Sequence, residues 1–269
     1  MPSLAAAERL PEHLLANARV LPDRDAILPL LPRNKVIAEV GVALGNFSDR
    51  IIRICEPKRF IAIDLFDLHE ISEFWGRPTN EMFNGGTHGT FYRKRFADLV
   101  GQQKVTVLEG DSAAKLATLD DASLDIVYLD ADHTYESVKR ELAIIRRKVR
   151  DDGWIILNDY IMNEAGFSNA AYGVIQATNE FMIAENWEMI YFALQPYMYC
   201  DVALRKVGNT APVAMPEIPD PRLAPLLRRN AELEARNASL TRALDAMRGS
   251  TSWRITAPMR ALRRSLGPR

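Results

Sequence analysis

Cysteine is nearly absent: Cys55 and Cys200 are the only two in 269 residues. They stand far apart and without metal-ligand neighbours, which argues against a disulfide framework or a zinc knuckle and fits a reducing, cytoplasmic setting. An excess of charge of one sign is missing as well. Against 34 lysines and arginines stand 35 aspartates and glutamates, a formal net charge of -1. No broad attraction to nucleic-acid phosphates or to anionic lipid follows, so nucleic acid is not an expected partner. No apolar run approaches the ~18 residues that a bilayer span requires. Residues 1–19 are broken by charges and prolines and lack the build of a secretory signal. The expectation is a soluble chain without a transmembrane segment.

At 48% hydrophobic residues the chain has enough apolar side chain for one ordinary core and an appendage. Short β-rich runs recur at 36–40, 60–65, 105–108, 124–129 and 154–157, with helical stretches between them. Strands alternating with helices predict a parallel sheet, and their almost unbroken apolar character predicts that helices cover both faces. The fold expected is therefore α/β, a doubly wound, Rossmann-like sheet. A helix over 172–184 and strands over 188–194 and 198–207 would close it with an antiparallel hairpin.

Residues 67–103 form a long insert before the third strand, broken by Gly85, Gly86 and Gly89 and rich in aromatics. Two readings stand: a segment that covers a substrate, or a helix pair packed on the sheet. Within it, His88 is read as a loop histidine at the surface or as a second substrate contact. The proline-rich stretch 211–225 reads as an extended linker. Beyond it Leu223, Leu226, Asn230, Leu233, Asn237, Leu240, Leu244 and Met247 follow alternating steps of three and four. That is a heptad repeat, and the two seam asparagines favour a parallel homodimeric coiled coil over a helix docked on its own domain.

The chemistry-bearing residues cluster at strand ends. The first strand runs into Glu39-Val40-Gly41-Val42-Ala43-Leu44-Gly45, where Gly41 and Gly45 permit a tight turn and the next helix offers free N–H groups to an anionic moiety. Ala43 and Asn46 depart from the Gly-x-Gly-x-x-Gly fingerprint of dinucleotide folds. Asp64 ends the second strand roughly 20 residues on, where a carboxylate can accept bonds from both hydroxyls of a ribose. Asp111, followed by Ser112, stands after the third strand, placed either to meet an adenine amino group or to cap the next helix.

Glu39-x-Gly41-x-x-x-Gly45, Asp64 and Gly110-Asp111-Ser112 resemble the cofactor motifs of class I S-adenosylmethionine-dependent methyltransferases, over about residues 33–207. The segment Tyr128-Leu129-Asp130-Ala131-Asp132-His133-Thr134-Tyr135-Glu136-Ser137-Val138 resembles the macrocin O-methyltransferase and cephalosporin-hydroxylase-like branch, a methyltransferase family 24-like group that includes sugar O-methyltransferases. That resemblance implies a magnesium-binding carboxylate at Asp130 and a histidine base at His133. It implies a second metal element at Asn158-Asp159, where the first member is an amide and brings no charge. The final segment, Ser250-Thr251-Ser252-Trp253-Arg254-Ile255, resembles a tail that follows coiled coils in bacterial glycan-assembly enzymes. Its basic face beside Trp253 reads as a contact for a partner or a membrane surface, or as a frayed end.

The organisation that follows is an N-terminal helical segment over 1–32, a methyltransferase domain over 33–208, a linker over 209–222, a coiled coil over 223–248 and a basic tail over 249–269. The function implied is S-adenosylmethionine-dependent O-methylation of a small-molecule or glycan hydroxyl, assisted by magnesium where the metal binds. Two rivals remain: a scaffold that keeps the fold without turnover, and a nicotinamide-dependent reductase. Tyr135 and Lys139 have the reductases' Tyr-x-x-x-Lys spacing, but after the fourth strand rather than the fifth.

Overall fold

A computed structural model describes residues 6–161, 172–195 and 199–209, all within the unit Met1–Met215. The linker beyond residue 209, the heptad segment and the basic tail lie outside the described residues. The chain opens with strand β1 (Arg19–Leu21), then β2 (Val36–Val40), α1 (Asn46–Cys55) and β3 (Arg59–Asp64). The insert carries β4 (Glu73–Phe74), β5 (Arg77–Pro78), α2 (Thr79–Met82), α3 (His88–Arg95) and α4 (Ala97–Gly101). Then follow β6 (Val105–Glu109), α5 (Ser112–Ala117), β7 (Leu124–Leu129), α6 (Tyr135–Lys148), β8 (Val149–Leu157), α7 (Val174–Glu185), β9 (Trp187–Ala193) and β10 (Asp201–Lys206).

Eight strands form one sheet in the order β1-β9-β10-β8-β7-β2-β3-β6. All neighbours run parallel except β10, which is antiparallel to both β8 and β9. The doubly wound, mostly parallel sheet with a closing antiparallel hairpin is the fold that the sequence predicts. Side-chain alternation splits the core in two. From β2 and β7, Ala38, Val40, Val127 and Leu129 join Leu142 and Ile145 of α6 on one face. Ile37, Ile126 and Tyr128 join Phe47 and Ile51 of α1 on the other. In α1 the buried Phe47, Ile51 and Cys55 recur every four residues, the spacing that puts them on one stripe.

The N-terminal segment differs from the helix expected of it. It makes single 3-10 turns at Glu12–Leu14, Arg24–Ala26 and Leu28–Leu30, and β1 adds to the sheet edge beside β9. Pro11, Pro22, Pro29 and Pro32 explain this, since each removes a donor and none allows a long helix through it. The fifth predicted strand, 154–157, is also longer, because β8 begins at Val149 and takes a register shift against β7 between Leu124 and Ile126.

The insert divides between its two readings. Tyr92 of α3 and Phe96 after it pack into the core, as a helix on a sheet does. The β4–β5 hairpin turns at Trp75 and Gly76, both with positive φ, and raises Phe74 and Trp75 as a stacked pair with ring centroids 4.2 Å apart. Trp75 is 69% exposed.

Candidate active site

In the sheet order, β2 and β7 are neighbours whose connections leave in opposite directions, the switch point at which open α/β sheets bind ligands. A cavity of about 700 Å³ opens there, over the carboxyl ends of β2, β3, β7 and β8. The candidate site residues border it except Gly45 and His88.

The glycine turn is built by close approach. Gly41 has φ 85°, and a Cβ there would stand 1.9 Å from the carbonyl oxygen of Asp130 and 2.8 Å from Cα of Ala131. Only glycine lets the ends of β2 and β7 meet in this way. Gly45, at φ 76°, opens α1, and a Cβ on it would strike Phe96 and Tyr92. Between the two glycines Ala43 holds φ 43°, a strained conformation for alanine.

Asp64 fastens this turn from the neighbouring strand. Its Oδ2 accepts from the amides of Val42 at 2.8 Å and Ala43 at 3.2 Å, and its Oδ1 accepts from Phe66 at 2.7 Å. Glu39 lies buried beneath and accepts from Ser48 Oγ at 2.5 Å, while Ser48 accepts from the hydroxyl of Tyr92 at 3.0 Å. Burial above all, eased by the Ser48 bond, holds its carboxyl well above the usual range.

His88 departs from the surface reading. It is fully buried between Phe66 and Phe83, and its Nε2 donates to the carbonyl of Ala43 at 2.6 Å. The insert thus ties the glycine turn from the side opposite Asp64.

Asp111 caps α5, its Oδ1 accepting from the amide of Ala114 at 2.8 Å, while Oδ2 meets Arg140 at 2.9 Å. Ser112 donates to the buried carboxylate of Glu141. The capping reading of Asp111 therefore holds, and the same residue still faces the cavity. Asp132 is engaged locally, accepting from Thr134 and Ser137 at the start of α6.

His133 is the centre of the other half. Its Nε2 is buried 3.5 Å from Asp130 and 3.8 Å from Asp159, and its ring stacks on Tyr172 at 4.7 Å. Burial opposes the imidazolium, but the carboxylates of Asp130, Asp159 and Asp132 outweigh it and raise the pKa above its ordinary value. Burial, then the charge of Asp130, pushes Asp159 up to about 7. Asp159 also holds φ 53°, the left-handed conformation that clusters at functional sites.

Asn158 turns away from this pair. Its amide nitrogen donates to Asp201 at 3.1 Å and to the hydroxyl of Tyr128 at 3.4 Å. Among the described residues no group of three or more His, Cys, Asp or Glu side chains is placed to hold a metal ion. The residues present do not fit magnesium: no such group assembles, and a guanidinium, that of Arg24, stands 3.6 Å from one expected ligand, Asp130.

Arg24, Asp201 and Glu141 were not legible as site residues. Arg24 sits in a proline-broken turn with no motif around it, and Asp201 lies at the start of β10, far in sequence from the strand ends it serves. The alternation of charged and apolar positions on α6 marks Glu141 as one polar residue among several. Tyr135 and Lys139, the pair that suggested a reductase, bond to each other and to Glu180 on α7.

Residues 38–160 match the model of a family described as a methyltransferase domain. No match is found among curated proteins. Similar solved structures include a precorrin-6y C5,15-methyltransferase from Geobacter metallireducens GS-15, at 14% identity over 68% of this chain and 84% of that one, TM-score 0.46. A putative rRNA methylase from Clostridium thermocellum is 13% identical over 68% of this chain and 93% of that one, TM-score 0.47. The pyocyanin biosynthetic protein PhzM is 14% identical, TM-score 0.45, with 68% of this chain and 54% of that one covered, so the chain spans about half the length of that relative.

Proposed function

We propose that the protein is an S-adenosylmethionine-dependent O-methyltransferase whose acceptor is a sugar hydroxyl, in a bacterial surface polysaccharide or a glycosylated metabolite. The observation that carries this reading is His133, buried at the cavity between Asp130 and Asp159 and across the sheet's switch point from the glycine turn. A neutral hydroxyl needs a base to become a nucleophile, whereas an amine or a thiolate has less use for one.

In this reading Gly41, Gly45 and Asp64 shape and bind the cofactor's methionine and ribose parts, Glu39 lies beneath them, and Asp111 and Ser112 meet the adenine end. Bound S-adenosylmethionine would supply an electrophilic methyl group. His133 would take the acceptor's proton, with Asp130 and Asp159 beside its Nε2 holding the charge that forms on the ring. Magnesium has no part in it, since the donors do not assemble for it. The stacked Phe74 and Trp75 at the cavity's rim offer an apolar platform of the kind on which the C–H face of a sugar ring can lie.

The resemblance of the tail supports a place in glycan assembly, the scarcity of cysteine supports a cytoplasmic setting, and the heptads support a homodimer, checked by the solution mass of the full chain against a Leu233→Asp variant. The function itself is tested by calorimetric titration with S-adenosylhomocysteine, with and without magnesium, beside Asp64→Ala. Micromolar binding that ignores magnesium and is lost in the variant is the expected result, followed by turnover on sugar acceptors. No binding in either condition would favour a non-catalytic scaffold.

A further inference from the structure

The cavity's acceptor half is crowded with carboxyl groups. Asp130 and Asp159 face His133, and Asp201 is buried behind them. Carboxylates gathered at low dielectric repel one another unless a cation sits among them.

Among the described residues, the fixed cation beside Asp130 is Arg24. Its Nη1 donates to the hydroxyl of Tyr128 at 3.3 Å and stands 3.6 Å from Asp130 Oδ2, and its guanidinium lies 4.4 Å over the ring of Phe47. The position is built from both sides. Behind it, Tyr128 donates to Asp201 Oδ2 at 2.5 Å, and Asp201 Oδ1 accepts from Asn158 at 3.1 Å and Gln195 at 2.5 Å. In front, Asp23 caps the 3-10 turn that carries Arg24, and Asp25 in the same turn grips Arg50 of α1 at 2.8 Å. The amide of Asn158, where the resemblance offers a metal ligand, is thus a strut in the network that supports the arginine.

From this we infer that Arg24 is the permanent cation of the acceptor subsite, standing where the resemblance implies a magnesium ion, so that this site works without metal. A guanidinium stays charged at every working pH and presents five N–H donors in a plane. Nη1 serves Tyr128 and Asp130, and the donors left over suit an acceptor that brings two neighbouring oxygens, such as the vicinal hydroxyls of a sugar. The role toward the acceptor rests on the methyl-transfer reading; the identity of the cation does not.

The test is a titration of the full chain with manganese, a paramagnetic stand-in for magnesium, read by electron paramagnetic resonance. Wild type should leave manganese free. Arg24→Met, which removes the charge and keeps much of the volume, should bind it at least about 10-fold more tightly, because the carboxylates then lack a partner. Arg24→Met/Asp130→Asn should lose that gain. Manganese bound by wild type and released in Asp159→Asn would overturn the inference, as would a folded Arg24→Met that gains no affinity. Should Arg24→Met fail to fold, the wild-type titration decides alone. S-adenosylhomocysteine binding, measured on the same samples, reports separately on the methyl-transfer reading.

Discussion

His133 and Asp159 are two members of one titrating cluster, so their proton losses are shared rather than private. The base works only when neutral, and its pKa is raised by the surrounding carboxylates. Turnover should therefore climb with pH through a midpoint above the ordinary histidine value, and level off once the imidazole has lost its proton. Asp159→Asn removes one of the charges that favour the imidazolium. Its midpoint should fall to lower pH while S-adenosylhomocysteine still binds, a shift that paired pH–rate profiles would show. His133→Ala should keep cofactor affinity and cut turnover by roughly 10²–10⁴-fold, the usual weight of a general base. A variant with unaltered turnover would take His133 out of the chemistry.

The glycine turn between β2 and α1 is an element held from outside itself. Asp64 holds the amides of Val42 and Ala43, and His88 holds the carbonyl of Ala43. Without these anchors the strained φ of Ala43 has little to maintain it. His88→Leu fills similar space and removes one hydrogen bond, so it should weaken S-adenosylhomocysteine binding by roughly 3- to 10-fold. Calorimetry checks this; unchanged affinity in a folded variant would leave His88 a packing residue alone. The turn and its strand were readable because Gly41, Gly45 and Asp64 are local to strand ends whose apolar runs announce them. The anchor was not, because its burial depends on Phe66, which precedes the β4–β5 hairpin, as well as on nearby Phe83, and no spacing joins the first of these to His88. The same applies to Arg24: a proline-broken segment has no periodicity to say which side chain it delivers, and the pairing of β1 with β9 and the grip of Asp25 on Arg50 fix where the turn after it sits. The five successive parallel strands were legible for the opposite reason, since helices on both faces leave their composition largely apolar.

Among the described residues, Glu39, Glu141, Asp159 and Asp201 are buried carboxyls shifted in one direction. Burial raises Glu39, takes Glu141 and Asp159 up to about 7 and Asp201 to about 6. Each keeps in the fold a proton that it gives up in the unfolded chain, so the folded state binds more protons over this range. Their contribution to stability is fully present below the unfolded carboxyl range of ~4 and is lost as pH rises through the folded values. The raised His133 acts in the same direction. The carboxyls with lowered values, Asp111, Asp121, Asp132, Asp151 and Glu180, lose their stabilisation only at more acidic pH, and all but Asp132 are largely exposed and well screened. The ligand-free protein should therefore melt at a lower temperature at about pH 8 than at about pH 5.5. S-adenosylmethionine carries a sulfonium cation that the ionised carboxylates favour and the protonated acids do not, so its stabilising shift should grow over the same interval. Thermal melts at the two pH values, with and without the cofactor, measure both effects. A melting temperature that rises with pH would mean that these carboxyls are already ionised and solvated in the fold, and that the cavity is not the charge-concentrating site on which the base and its arginine neighbour depend.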